Sequence, residues 1–253
     1  MKIALLILLC TMLHAAPVGN PAAPALIQKG LFTSSHSWGS LRLGYEGDFV
    51  SDGRLGQFNQ GVGRVDCYEQ DTNSGTATFN LLDRLDLYGV FGSSCTKANW
   101  RFEDTAAETI TRLNLATQNS FLWGAGARII LYEWGHAFLG FGGRYSASDY
   151  PLEWFTSNGA EQALEGALLH WRQWQINCDF AYKIELLTPY IGVKYSNERV
   201  DLQHFFFSSS FENRIPVGLY LGCTLSNGQY FMLNLEGRLI DEEAVSISGD
   251  FRF

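Results

Sequence analysis

Ala244-Val-Ser-Ile-Ser-Gly-Asp-Phe-Arg-Phe253 is the stretch that decides the fold class. In an extended chain its Val245, Ile247, Phe251 and Phe253 fall on one side and Asp250 and Arg252 on the other, because strand side chains alternate with a period of two. The same pattern recurs upstream. Ser40 to Ser51 sets Leu41, Leu43, Tyr45 and Phe49 against Arg42, Glu46 and Asp48; Leu85 to Ser93 sets Leu87 and Phe91 against Asp86. Trp123 and Ile129 oppose Arg128, Phe141 and Tyr145 oppose Arg144, Ile191 and Val193 oppose Lys194, and Leu233 and Leu235 oppose Glu236 and Arg238. Alternating segments of about ten residues separated by turns mark a transmembrane β-barrel.

Alternation alone leaves the outer face open, since a soluble ligand-carrying barrel shows the same pattern inverted. Two features settle it. Lys2, the apolar run Ile3 to Leu13 and the small-residue exit Leu13-His-Ala-Ala16 read as an export signal over residues 1–15, cleaved near Ala15 or Ala16 to leave 16–253 as one domain. That run is too short for a spanning helix, which needs about 20 apolar residues. The terminal Phe253 is the second feature. Together they predict an all-β, antiparallel, up-and-down barrel in the outer membrane, its apolar set against lipid and its charged set in a wet lumen. Arg or Lys facing lipid at mid-membrane would cost about 2–4 kcal/mol. The net charge of -8 argues against a nucleic-acid partner; outer-membrane lipid and the outer-membrane assembly machinery are the partners expected.

Connection lengths set direction, because such barrels have short periplasmic turns and longer external loops. Short connections at 83–84, 133–135, 183–186 and 226–228 share one end, with Asn227-Gly228 a tight-turn signal; the long ones, 94–119, 147–169 and 197–213, share the other. A periplasmic N-terminus then requires a strand before Ser40, for which Ala25 to Phe32 is the candidate. Adding two weak strands, Gln57 to Tyr68 and Thr76 to Leu82, brings the count to twelve, with ten as the alternative. Ala106, Ile110, Leu113 and Ala116 stand at helical spacing and predict a short amphipathic helix on the rim, or a segment folded into the mouth that sets its size limit.

The pore-lining candidates are Arg42, Glu46, Asp86, Arg128, Arg144, Lys194, Glu236 and Arg238. With Asp48, Asp179 and Asp250 on the same face, the two signs nearly balance, so selectivity should be weak; the competing expectation is that these groups pair and fill a non-conducting structural or adhesion barrel. An enzyme would need His170, His204, Asp201 and Ser208 to Ser210 to gather at the rim, and no spacing supplies the mutual reach a base and nucleophile require. No catalytic residue, metal or cofactor is therefore expected. Cys178 and Cys223 fall on lipid-facing positions, which leaves Cys67 and Cys95 as the one candidate disulfide in a compartment that permits it.

Several blocks, in order, resemble the chlamydial major outer membrane protein family of porins. They are Ala16-Pro-Val-Gly-Asn-Pro21, Ser40-Leu-Arg-Leu-Gly-Tyr-Glu-Gly-Asp-Phe-Val-Ser-Asp52, Leu81-Leu-Asp-Arg-Leu-Asp-Leu87 and Gly126-Ala-Arg-Ile-Ile-Leu-Tyr-Glu-Trp-Gly135, followed by Pro189-Tyr-Ile-Gly-Val-Lys-Tyr-Ser196, Gly237-Arg-Leu-Ile-Asp-Glu-Glu-Ala244 and Phe251-Arg-Phe253. The resemblance implies a porin passing ions and small hydrophilic solutes, a homo-oligomer, and a C-terminal insertion signal at Phe251 and Phe253. The chain departs from the family in being much shorter and in lacking the family's cysteines at Thr33 to Gly39 and around Glu133 to His136, which puts a disulfide-crosslinked envelope role in doubt.

Overall fold

A computed structural model describes residues 17–30, 38–57, 62–104, 109–164, 166–203 and 209–253; the export signal lies outside them. The described residues hold one short helix, α1 (Ala23–Leu26), and fourteen strands: β1 (Gly39–Gly53), β2 (Leu55–Gln57), β3 (Val62–Leu81), β4 (Leu85–Asp104), β5 (Thr109–Thr117), β6 (Ser120–Trp134), β7 (Ala137–Ser157), β8 (Ala160–Glu161), β9 (Leu168–Tyr182), β10 (Leu187–Gln203), β11 (Ser209–Asn213), β12 (Val217–Ser226), β13 (Phe231–Leu239) and β14 (Glu242–Arg252).

Ten of these make the wall. β1, β3, β4, β6, β7, β9, β10, β12, β13 and β14 each pair antiparallel with the next. β14 returns to β1, with Leu43 opposite Phe251 and Phe49 opposite Val245, so the ring closes and leaves no free edge. The short strands extend the wall outward. β5 and β6 act as one interrupted return strand, β6 pairing β4 over Leu85–Ser94 and β5 over Lys97–Asp104. β12 and β11 do the same along β10, and β11 then pairs with β2 above the low β13–β14 hairpin.

The ring of ten is the smaller of the two counts the sequence allows, and two corrections account for it. Residues 25–30 are not a strand: 25–26 end α1, whose start Pro24 favours, and 27–30 follow it out to the turn end, where Gln28 and Lys29 are exposed. The two weak strands are one, β3, whose Thr72-Asn73-Ser74-Gly75-Thr76 centre is polar on both faces and hides the alternation. The rim helix is also corrected. Ile110, Leu113 and Ala116 lie in β5, Ala106 lies outside the described residues, and the β-branched run Thr109-Ile110-Thr111 favours a strand. Much of 94–119 is therefore wall rather than loop.

The facing follows the alternation. On β10, Leu187, Ile191, Val193 and Tyr195 are exposed while Lys194 is fully buried. Leu187 to Tyr195 spans about 26 Å of strand, or roughly 20 Å of height at the usual tilt. Aromatic side chains ring both margins of this belt: Tyr45, Phe121, Trp123, Tyr145, Trp174 and Tyr195 on the loop side, Tyr132, Trp134, Tyr182 and Tyr230 on the turn side. Such girdles mark lipid–water boundaries. Beyond the outer girdle the pattern inverts: Arg199 and Asp201 point out and Val200 and Leu202 point in, as Arg172 points out and Trp171 in on β9.

Candidate functional site: the lumen

That inversion divides the lumen into two layers. Within the membrane belt the inward side chains are polar, and several ionisable ones pair across the lumen. Arg42 meets Asp86, Arg144 Nη1 lies 2.8 Å from Glu46 Oε1 and Arg238 Nη2 lies 2.6 Å from Asp48 Oδ1. Lys194 Nζ sits 2.9 Å from Asp241 Oδ2 and also contacts Glu242. A charge held away from water needs a partner of this kind. Above the belt the lumen is apolar: Tyr68, Trp100, Leu115, Tyr150, Leu169, Trp171, Val200, Leu202 and Phe211 form one buried cluster drawn from most of the wall. The Trp100 ring lies 5.6 Å from Phe211 and 6.1 Å from Phe155. Trp171 Nε1 donates to Glu198 Oε1 at 2.5 Å where the layers meet.

All eight pore-lining candidates face this interior. None of the eight is a lone charge; Arg128, the one without a carboxylate in hydrogen-bond contact, donates to the Asn20 carbonyl at 3.1 Å and lies 5.5 Å from the Tyr88 ring centre.

Residues 17–27 fill the space those side chains surround, a feature the strand reading of Ala25 to Phe32 missed. The Val18 and Gly19 N–H groups donate to Glu236 at 2.9 and 2.7 Å. Asn20 Nδ2 donates to Thr188 O and Thr224 Oγ1 at 3.0 and 2.9 Å. Arg42 donates to Ala23 O at 2.7 Å, Asn80 to Pro24 O at 3.1 Å, Ser226 to Leu26 O at 3.1 Å, and Arg252 to Ile27 O. Val18, Ala22, Ala23, Leu26 and Ile27 pack on Ile130, Phe138, Ala181, Tyr190, Tyr220 and Met232. Gly19 takes φ +84° with Arg128 so close that a Cβ would sit 2.8 Å from Nη1, and Gly140 makes room for Pro21, 2.4 Å from where its own Cβ would be. The gap left around Pro17, Gly19, Arg42, Glu46, Arg144 and Asp250 is about 40 Å³, room for a few water molecules. The prolines and Gly19 were the legible signal for a non-strand segment.

The remaining sequence candidates lie outside the barrel or apart. His170 Nδ1 lies 2.5 Å from Asp149 Oδ1 on the outward face, whereas Asp201 accepts from Ser210 Oγ at 2.7 Å and from Arg199. His204 and Ser208 fall outside the described residues. Cys67 and Cys95 are free thiols: Cys95 stands opposite Asp71, four residues along β3 from Cys67, too far for a bridge, so that candidate disulfide is corrected. Partial burial, then the charge and hydrogen bond of Glu69, push the Cys67 thiol up to about 11; burial and the Asp71 charge raise Cys95. Among the described residues no group of three or more His, Cys, Asp or Glu is placed to hold a metal ion.

A closed antiparallel ring with an apolar girdled exterior and a charged interior is an outer-membrane β-barrel. Relatives place it more narrowly. The family model described as Chlamydia major outer membrane protein matches residues 143–210. The major outer membrane porin of Chlamydia muridarum is 23% identical over 385 aligned residues covering 95% of each chain. The serovar E porin of Chlamydia trachomatis is 22% identical over 374, again 95% of each. The chain is thus similar to chlamydial major outer membrane porins along nearly its whole length, and its 253 residues are fewer than the 374 to 385 positions those alignments span. Among solved structures, an outer membrane channel from Pseudomonas putida F1 is 10% identical over 86% of this chain and 96% of its own, with a TM-score of 0.45.

Proposed function

We propose that the protein is an outer-membrane porin, passing ions and small hydrophilic solutes by weakly selective diffusion, with Arg42, Glu46, Asp86, Arg128, Arg144, Lys194, Glu236 and Arg238 lining the path. The observation that carries this reading is the inward ionisable set within the lipid belt, in a chain aligned end to end with proteins named porins. Charges of both signs in one narrow lumen favour weak selectivity. The role in this reading is non-catalytic, in keeping with the relatives named porins; Ser210 donates to Asp201, and His170 lies apart against Asp149. Phe251 and Phe253 serve as the signal to the assembly machinery, and the porin acts as a homo-oligomer.

The filled lumen favours a second reading, a structural or adhesion barrel. Liposome swelling separates the two. Proteoliposomes that swell in isotonic solutions of small sugars support the porin; swelling no faster than in protein-free vesicles supports the structural barrel.

A further inference from the structure

We infer that residues 17–30 are a displaceable plug: the segment leaves the inner half of the lumen as a unit and returns, while the wall stays folded. Its consequence for solute passage rests on the porin reading; the displacement itself does not.

The division of charge is the reason. Pro17 to Gln28 carries no ionisable side chain, and the wall pairs most of its charges within itself, Arg42 with Asp86, Arg144 with Glu46, Arg238 with Asp48; Arg128 and Glu236 also meet the plug, but only through its backbone. Towards the plug, these arginines spend only spare N–H groups on backbone carbonyls, Arg42 on Ala23 O at 2.7 Å and Arg144 on Pro17 O at 3.5 Å. When the plug departs, water replaces its carbonyls and the N–H groups that Glu236 accepts, the three ion pairs remain intact, and the main cost is exposing Val18, Leu26 and Ile27. A plug bearing one partner of a buried ion pair would strand a charge on leaving, a far larger penalty. The segment also adds no strand to the wall, so its exit breaks no ladder. Its route lies at the turn end, where Gln28 N–H donates to Gly228 O at 3.3 Å and Gln28 and Lys29 are exposed.

The test uses Ala22→Cys, a fully buried plug position, in a chain whose Cys67, Cys95, Cys178 and Cys223 are alanine. The refolded barrel, its fold checked by heat-modifiable gel mobility, is exposed to a membrane-impermeant maleimide. Labelling should proceed faster than global unfolding. Gly19→Val strains a φ of +84° in the plug and crowds Arg128, and should speed labelling about tenfold. Gly140→Leu should do the same from the wall by crowding Pro21; if it fails to fold, Gly19→Val still decides. Labelling no faster than unfolding, and unmoved by Gly19→Val, overturns the plug. Bilayer recordings of the same variants keep the two ideas apart. Labelling without conductance in any variant leaves the plug standing and sinks the porin, whereas conductance without labelling does the reverse.

Discussion

Ile191→Arg tests the assignment of the outer face. Ile191 sits mid-belt on β10, 57% exposed, opposite Phe180 on one side and Leu221 on the other, so no neighbour offers a charge to pair with. Arginine facing lipid near the midplane costs about 2–4 kcal/mol, falling to about 0–1 towards the interface. At about 1.4 kcal/mol per factor of ten, the folding equilibrium in bilayers should fall some 30- to 700-fold. Gln203→Arg is the control on the same strand. It is exposed, twelve residues along and above the charged margin, and should change stability by less than about 0.5 kcal/mol. Urea unfolding in lipid vesicles, followed by heat-modifiable mobility, reads both. Equal effects of the two substitutions would refute the facing, and with it the lumen.

Asp86→Asn should destabilise by about 3–5 kcal/mol, because Arg42 is buried against that carboxylate. Replacing both by Met and Leu should recover most of the loss; a double-mutant cycle with no coupling contradicts the pair. Alkylation of Cys67 requires the thiolate, so with its thiol pushed up to about 11 the rate should be slow near neutrality and climb about tenfold per pH unit; a plateau by pH 9 would contradict the raised value, and a reduction-sensitive gel shift would contradict the free thiols. Phe253 donates its backbone N–H to Leu41 O at 2.9 Å, a bond that survives Phe253→Ser. That variant should refold in detergent yet fail to reach the surface in cells, and normal surface exposure would remove Phe253 from the insertion signal.

Faces were legible from sequence wherever lipid and charge oppose each other, as on β9, β10 and β13. Strand ends were not, because hydrophobicity changes phase at the outer girdle. Lys194 in and Tyr195 out becomes Val200 in and Arg199 out within a few residues, so a reading that follows one phase stops at Tyr195 although β10 runs on to Gln203. The long loops inferred at 94–119 and 197–213 came largely from that change. The eight lumen candidates were legible as lumen-facing, but their partners were not: Arg238 finds Asp48 across 190 positions, and Arg144 finds Glu46 across 98. Only barrel closure sets those contacts. The plug was hidden for a different reason. A neutral Pro- and Ala-rich segment has no periodicity of its own, and many of its polar contacts run through backbone carbonyls that any residue would supply.

Single-channel recording of the purified, refolded protein in planar bilayers tests the central claim most directly. The account predicts discrete openings of low conductance, rare because the plug and the apolar outer layer both close the described lumen, with a small reversal potential in a salt gradient that shrinks as salt rises. Strong preference for one ion sign would contradict the balanced lining. Current indistinguishable from bare lipid at every voltage and salt concentration would contradict the porin itself.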